Sequence, residues 1–168
     1  MIKEVDFNQY LTEMTNQLPK GAFVTTKYGD QTNTMTIGWG SVGIFWGKPI
    51  FTLAVRYSRF TYELLEKSGE FTISVPLNSN LKDELAFCGT KSGRDYDKFK
   101  HLSLQAVDGQ KVNVPVIGQC NLHYECKVVY QQAMEPALVH WDIKPRYYPK
   151  ANYHIMYYGE ILSSYLLD

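Results

Sequence analysis

The sequence predicts a mainly β protein: an antiparallel barrel, closed or partly closed and Greek-key-like in its connections, with a few inserted helices. Three observations predict it. Apolar and polar residues alternate over several short stretches, the period of a half-buried strand. Helical periodicity is confined to brief stretches, so the regular strand–helix alternation of a doubly wound parallel sheet is missing. Aromatic residues reach 14% of 168 residues, with 13 tyrosines, which suits strands, a lined cavity or a subunit interface.

Taken in order, Phe7, Tyr10, Leu11, Met14 and Leu18 recur at helical spacing and predict a first helix ending before Pro19. Met35, Ile37 and Trp39 alternate with Thr34, Thr36 and Gly38. Phe51, Leu53 and Val55 alternate with Thr52, Ala54 and Arg56. A short helix follows at about 60–67, with Phe60, Leu64 and Leu65 inward and Ser68-Gly69 as its stop. Phe71, Ile73 and Val75 form the next strand, up to Pro76. A second short helix is expected at 81–87, then a polar loop over 88–100. Two long strands, about 120–131 and 153–165, close the chain, with an excursion over 133–152 between them.

Hydrophobic residues are 45% and charged residues 20%, which is a globular composition, and the length suits a single domain over 1–168. Seventeen basic and seventeen acidic residues cancel. That balance argues against a nucleic-acid partner held by bulk charge and against a polybasic membrane anchor. No apolar run approaches 18 residues, so no span is expected. Met1-Ile2-Lys3-Glu4-Val5-Asp6 lacks the apolar core of a secretory signal. Three cysteines, 88, 120 and 126, form no disulfide-like framework, and the expected compartment is a reducing cytoplasm.

Few residue groups carry chemistry by type and spacing. Cys120, His123 and Cys126 have metal-like identities, but on a strand His123 points away from both cysteines, so strand packing is the expectation. Cys88 reads as a buried small thiol, because no local signature marks a nucleophile there. Asp95 and Asp97 beside Arg94 and Lys98 read as a solvated ion cluster. The phosphate loop G-x-x-x-x-G-K-[ST] and the post-strand G-x-G-x-x-G are both missing. One stretch does have anion-binding logic. The strand ending at Arg56 runs through Tyr57-Ser58-Arg59 into a helix starting near Phe60-Thr61. Helix-start N–H groups attract anions, Ser58 and Thr61 add hydroxyls, and Arg56 or Arg59 adds charge. The alternative is that Ser58 only caps the helix.

Several of these stretches together resemble the flavin reductase-like, FMN-binding split-barrel family, especially its flavoredoxin branch. The resemblance is carried by Asn33-Thr34-Met35-Thr36-Ile37-Gly38-Trp39, Pro49, Val55–Tyr62 and Gly69–Pro76. It continues in Cys88–Phe99, Glu125–Val129 and His154–Ile161. The resemblance implies a split-barrel homodimer that holds FMN without a covalent bond. It implies Asn33, Met35, Thr36 and Trp39 around the flavin ring, and Ser58, Thr61 and Arg56 at the phosphate or ribityl end. Gly89, Ser92 and Lys98 complete the polar pocket, and His154 sits near the flavin. Two features depart from the family. The excursion over 133–152, with His140, Trp141, Arg146, Tyr147 and Tyr148, replaces a tight turn. An aromatic C-terminal segment that reaches the flavin in many relatives is not seen after Gly159-Glu160; its contact is absent or is replaced by Tyr148 or Trp141.

The function so implied is an FMN-binding oxidoreductase, with NAD(P)H or a protein as electron donor. The flavin carries the chemistry, so no residue is expected to be catalytic in the strict sense. The alternative is an electron-transfer or storage module with no turnover of its own. No metal, nucleic acid or membrane is expected as a partner.

Overall fold

A computed structural model describes residues 1–167. Strand β1 covers Ile2–Glu4 and helix α1 Leu11–Gln17. Strands β2 (Ala22–Tyr28), β3 (Gln31–Ile37), β4 (Gly40–Phe45) and β5 (Lys48–Arg56) follow. Helix α2 spans Phe60–Ser68, strand β6 Glu70–Val75, and helices α3 and α4 Lys82–Thr90 and Lys98–His101. A small ribbon, β7 (Ala106–Val107) with β8 (Val116–Ile117), precedes the long strand β9, Leu122–Ala133. Helix α5 is Lys144–Tyr147, and β10 runs from His154 to Leu167.

All pairings are antiparallel, and the main sheet has the order β3-β2-β6-β9-β10-β5-β4, with β1 added alongside the far end of β10. The family-type split barrel expected from the sequence is the fold observed. Alternation explains the strands: Phe51, Leu53 and Val55 of β5 and Phe71, Ile73 and Val75 of β6 are all fully buried in one core. That core collects Val24, Met35, Tyr124, Cys126 and Tyr157 from the other strands and Met14 from α1. A second cluster, Phe23, Leu85, Cys88, Leu104, Ile117 and Cys120, packs under α3. The β9–β10 pairing shifts register twice, at Tyr158/Gly159, where β9 carries the extra residue Val129, and at Ile161/Ser163, where β10 carries the extra residue Leu162; such bulges bend a strand and increase its twist. Gly159 is needed there, because a Cβ would lie 2.4 Å from the Phe71 ring and 2.9 Å from the Cys126 Cβ. Among the described residues no helix is long and apolar enough to cross a membrane.

Strands β1, β2, β4, β7 and β8 and helix α4, which falls in the expected polar loop, were not anticipated from the sequence, and three anticipated features differ. The first helix is shorter, starting at Leu11, and Pro19 is accommodated in a 3-10 turn over Leu18–Lys20. The loop expected from residue 88 begins three residues later, since α3 continues to Thr90. Trp39 leaves the alternation: β3 ends at Ile37, and the indole is 42% exposed. By contrast α2 stops where Gly69 was expected to stop it, with that residue in the left-handed conformation.

Candidate functional site

The sheet order puts β3 at one end and β5 next to the other, and the curl of the sheet brings the two together. A cleft opens where they meet. Its first compartment, about 250 Å³, is lined by Asn33 and Met35 of β3, Arg56 at the end of β5, and the start of α2. The segment after α3, with Ser92, Gly93 and Arg94, forms the opposite wall, and Lys98 comes from α4. A second compartment of about 180 Å³ shares Met35, Arg56 and Arg59 and is lined further by Thr36, Trp39 and His154.

The first compartment has one sign of charge. Arg56, Arg59, Lys91, Arg94 and Lys98 line it, and no carboxylate does among the described residues. The start of α2 adds backbone donors: the capping position is Arg59, in extended conformation, and its side chain makes no capping bond. Ser58 does not cap the helix either; its hydroxyl accepts from Asn152 Nδ2 at 2.8 Å. Thr61 is fully buried, and its hydroxyl accepts from Asn33 Nδ2 at 2.8 Å, leaving its own proton to donate. Gly93 makes the wall thin. A Cβ there would stand 2.0 Å from Asn33 Oδ1 and 2.9 Å from the Phe60 ring.

Lys98, Arg59 and Arg56 are held by backbone carbonyls, and only Arg94 also pairs with an acid. Lys98 is 3% exposed, and its ammonium donates to Thr34 O at 2.8 Å and Cys88 O at 3.0 Å. Burial lowers its pKa to about 8, with Cys88 opposing the shift and Arg59 adding to it. Arg59 donates to Gly89 O at 2.9 Å, and burial, then Arg56, lowers its pKa. Arg94 donates to Ser58 O at 3.2 Å, pairs with Glu63, and lies over the Phe60 ring. Arg56 donates to Asn152 O and to Tyr147 O, so the excursion is tied to the cleft.

The second compartment is aromatic. Trp39 meets Tyr147 edge-on at 5.3 Å and the His154 ring at 4.9 Å. His154 Nδ1 is 2.8 Å from the Tyr148 hydroxyl. Burial, then Arg56 and Arg59, lowers the His154 pKa to about 4, so the ring is neutral at ordinary pH.

Of the residues singled out from the sequence, Asn33, Met35, Arg56, Ser58, Thr61, Ser92 and Lys98 line the first compartment. Thr36, Trp39 and His154 line the second. Gly89 lines neither and acts through its carbonyl on Arg59. Sequence reasoning missed Lys91, Gly93, Arg94 and Asn152 as lining residues. The Gly93-Arg94 step sits in a loop motif and was open to that reading; Asn152 carried no signal. Elsewhere, His123 is buried between Ser74 Oγ at 3.1 Å and Cys120 O at 3.0 Å. Burial pushes the Cys88 thiol up to about 11. Asp97 caps α4 by accepting from Lys100 N–H at 3.1 Å.

Known proteins share the sequence pattern and the fold. The model of the flavin reductase like domain matches residues 17–166. An uncharacterized protein of Archaeoglobus fulgidus is 34% identical over 122 residues, 70% of this chain and 68% of that one. The flavoredoxin of Desulfovibrio vulgaris (Miyazaki F) superposes with a TM-score of 0.68 at 26% identity, covering 86% of this chain and 67% of its own. An FMN-binding domain of a flavin reductase-like enzyme from Shewanella baltica, 19% identical with a TM-score of 0.68, shares the fold over 99% of this chain and 77% of that one. A flavin-linked redox role follows from the family match, the flavoredoxin likeness and a cationic cleft with an aromatic end. The chain belongs to the flavin reductase like family.

Proposed function

We propose that the chain binds FMN without a covalent bond and works as an oxidoreductase of the flavin reductase or flavoredoxin type. The observation that carries this reading is the first compartment, with five cationic side chains, an uncapped helix start and no carboxylate among the described residues. Such a donor set fits a single terminal phosphate. The adjoining compartment fits the ring end, since beyond the shared Arg56 and Arg59 it adds no cation and offers the Trp39 indole and a neutral imidazole. Bound flavin would supply the redox chemistry, accepting hydride or electrons from NAD(P)H or from a protein donor.

The chain's own residues bind and orient. Thr61, Ser58 and Ser92 present hydroxyls to the phosphate end, with Lys98 and Arg59 supplying charge from positions fixed by backbone carbonyls. Asn33 braces Thr61. Trp39, Met35 and Thr36 form the wall of the ring end, and the excursion packs Tyr147 edge-on against Trp39. That contact of the excursion with the ring end favours a second reading, an electron-transfer module without its own NAD(P)H turnover.

The purified protein is expected to be yellow and to release FMN, not FAD, on denaturation. A colourless protein that takes up no added FMN overturns the reading. Stopped-flow mixing with NADH and with NADPH separates reductase from transfer module: rapid bleaching of the flavin supports the first, none the second.

A homodimer in a reducing cytoplasm belongs to the same proposal. Phe45, Trp46, Tyr130 and Tyr158 form an open aromatic patch, with Trp46 62% exposed. A second copy over this patch would bury on the order of 2,000 Å² or more in an obligate dimer. Light scattering is expected to give a dimer for the wild type and a monomer for Trp46→Glu.

A further inference from the structure

Tyr148 belongs to the excursion, yet it is only 6% exposed. Its ring stacks on Tyr153 at 4.6 Å and lies under the Arg56 guanidinium at 5.1 Å. Its hydroxyl oxygen is 2.8 Å from Nδ1 of His154, the first residue of β10. His154 is 7% exposed and lines the aromatic compartment, and among the described residues no group pairs with its Nε2. A polar atom with no protein partner is thus carried by a ring that is more than nine-tenths buried and lines the cleft.

We propose that Tyr148 holds His154 in the tautomer with its proton on Nε2, so that the ring end of the cleft carries a fixed, uncharged hydrogen-bond donor. Tyr148 is then a positioning residue and His154 the group that touches the ligand. The proposal rests on the reading that a flavin ring occupies this compartment.

The direction of the Tyr148–His154 bond follows from the two groups. A phenol is a good donor and a poor acceptor, because its oxygen lone pair is shared with the ring. The bare nitrogen of a neutral imidazole is a strong acceptor. The phenol proton therefore goes to Nδ1, and the imidazole proton must sit on Nε2. Neither arginine donates to Nε2: the bonds formed by Arg56 go to Asn152 O and Tyr147 O, and that of Arg59 goes to Gly89 O. A flavin ring edge carries nitrogen and oxygen acceptors, and a donor preset toward it loses no freedom on binding.

Tyr148→Phe tests this, because it keeps the ring, the stack and the cation contact and removes only the hydroxyl. Nitrogen NMR of the flavin-free, histidine-labelled protein reads the tautomer, with His154→Gln identifying the signal. The wild type is expected to show a protonated Nε2 and a bare Nδ1, and Tyr148→Phe a mixture of tautomers. A wild-type spectrum with the proton on Nδ1 overturns the proposal. In titrations, Tyr148→Phe is expected to weaken FMN and riboflavin by the same factor, about three- to tenfold, as loss of a neutral hydrogen bond would. Unchanged affinities, or a loss seen with FMN alone, overturn it. His154→Gln keeps a donor near the Nε2 position, and in that background Tyr148→Phe is expected to cost nothing further; a full second loss overturns the coupling. Should Tyr148→Phe fail to fold, the wild-type spectrum still decides the tautomer. If neither flavin binds the wild type, the flavin reading fails, and the spectrum judges the tautomer separately.

Discussion

Lys98 carries its charge in a place where charge is costly, and two backbone carbonyls are what hold it there. Its pKa of about 8 has a consequence for binding. Below that pH the free protein already carries the ammonium; above it, binding a phosphate requires proton uptake. A phosphate with its second pKa near 6 does not titrate in this window. FMN affinity is therefore expected to fall by up to about tenfold per unit as pH rises beyond about 8, and Lys98→Met should flatten the profile. A wild-type affinity independent of pH between 7 and 9.5 would remove Lys98 from the site. Thr61→Val addresses the hydroxyl. If Thr61 donates to the phosphate, FMN should lose roughly 1.5–3 kcal/mol while riboflavin binds almost unchanged. The substitution also leaves Asn33 Nδ2 without its acceptor, so a lower melting temperature is expected in addition. Equal losses for both flavins would reduce Thr61 to a structural role.

At the scale of elements, the site is a meeting of three starts and ends: the end of β5, the start of α2 and the segment leaving α3. The last approaches closely only because residue 93 is glycine. Gly93→Ala would press its Cβ into the Asn33 amide and the Phe60 ring. Asn33 would then lose its bond to Thr61, or the segment would move outward with Ser92 and Arg94. Either way FMN affinity is expected to drop at least about tenfold, the scale of one charge-assisted hydrogen bond. Titration beside a thermal melt checks it; a well-folded variant with wild-type affinity would show that the segment does not shape the site.

For the molecule as a whole, two neutral buried histidines set a pH dependence of stability. Burial lowers His123 to about 4, opposed by the Cys120 carbonyl and Glu125, and burial with Arg56 and Arg59 lowers His154 to about 4. An unfolded histidine titrates near 6.5, so below that pH the unfolded chain binds protons that the native state refuses. Stability should fall as pH drops from about 6.5 toward 4, by at most about 1.4 kcal/mol per unit for each histidine. Urea unfolding of the flavin-free protein at pH 7, 6 and 5 reads this above most carboxylate titration. A midpoint unchanged over that range contradicts the burial of both rings as neutral species.

Local burial was legible along the chain because a strand writes its two faces at period two. Phe51, Leu53 and Val55, or Phe71, Ile73 and Val75, announce their core face without help from distant residues. The stop at Gly69 was legible for a similar reason: a left-handed residue is a local requirement. The motif stretches at 33–39, 55–62 and 88–99 were enough to point to the right segments of the site. What the stretches do to one another was not written locally. Asn33 meets Thr61, Lys98 meets the Thr34 carbonyl, and Arg56 meets the Asn152 carbonyl across 28, 64 and 96 residues of chain. Trp39 obeyed the alternation on paper, yet left the core because β3 ends two residues earlier, beside Tyr147 and His154. Tyr148 and Trp141 were equal candidates from the excursion by sequence; only its folding back over β10 buries Tyr148 against His154 and leaves Trp141 exposed. These contacts depend on the strand order and on the curl that brings β3 to β5. A sequence period records which face of a segment is buried, but only closure of the sheet decides which buried faces and which loop ends share a cleft.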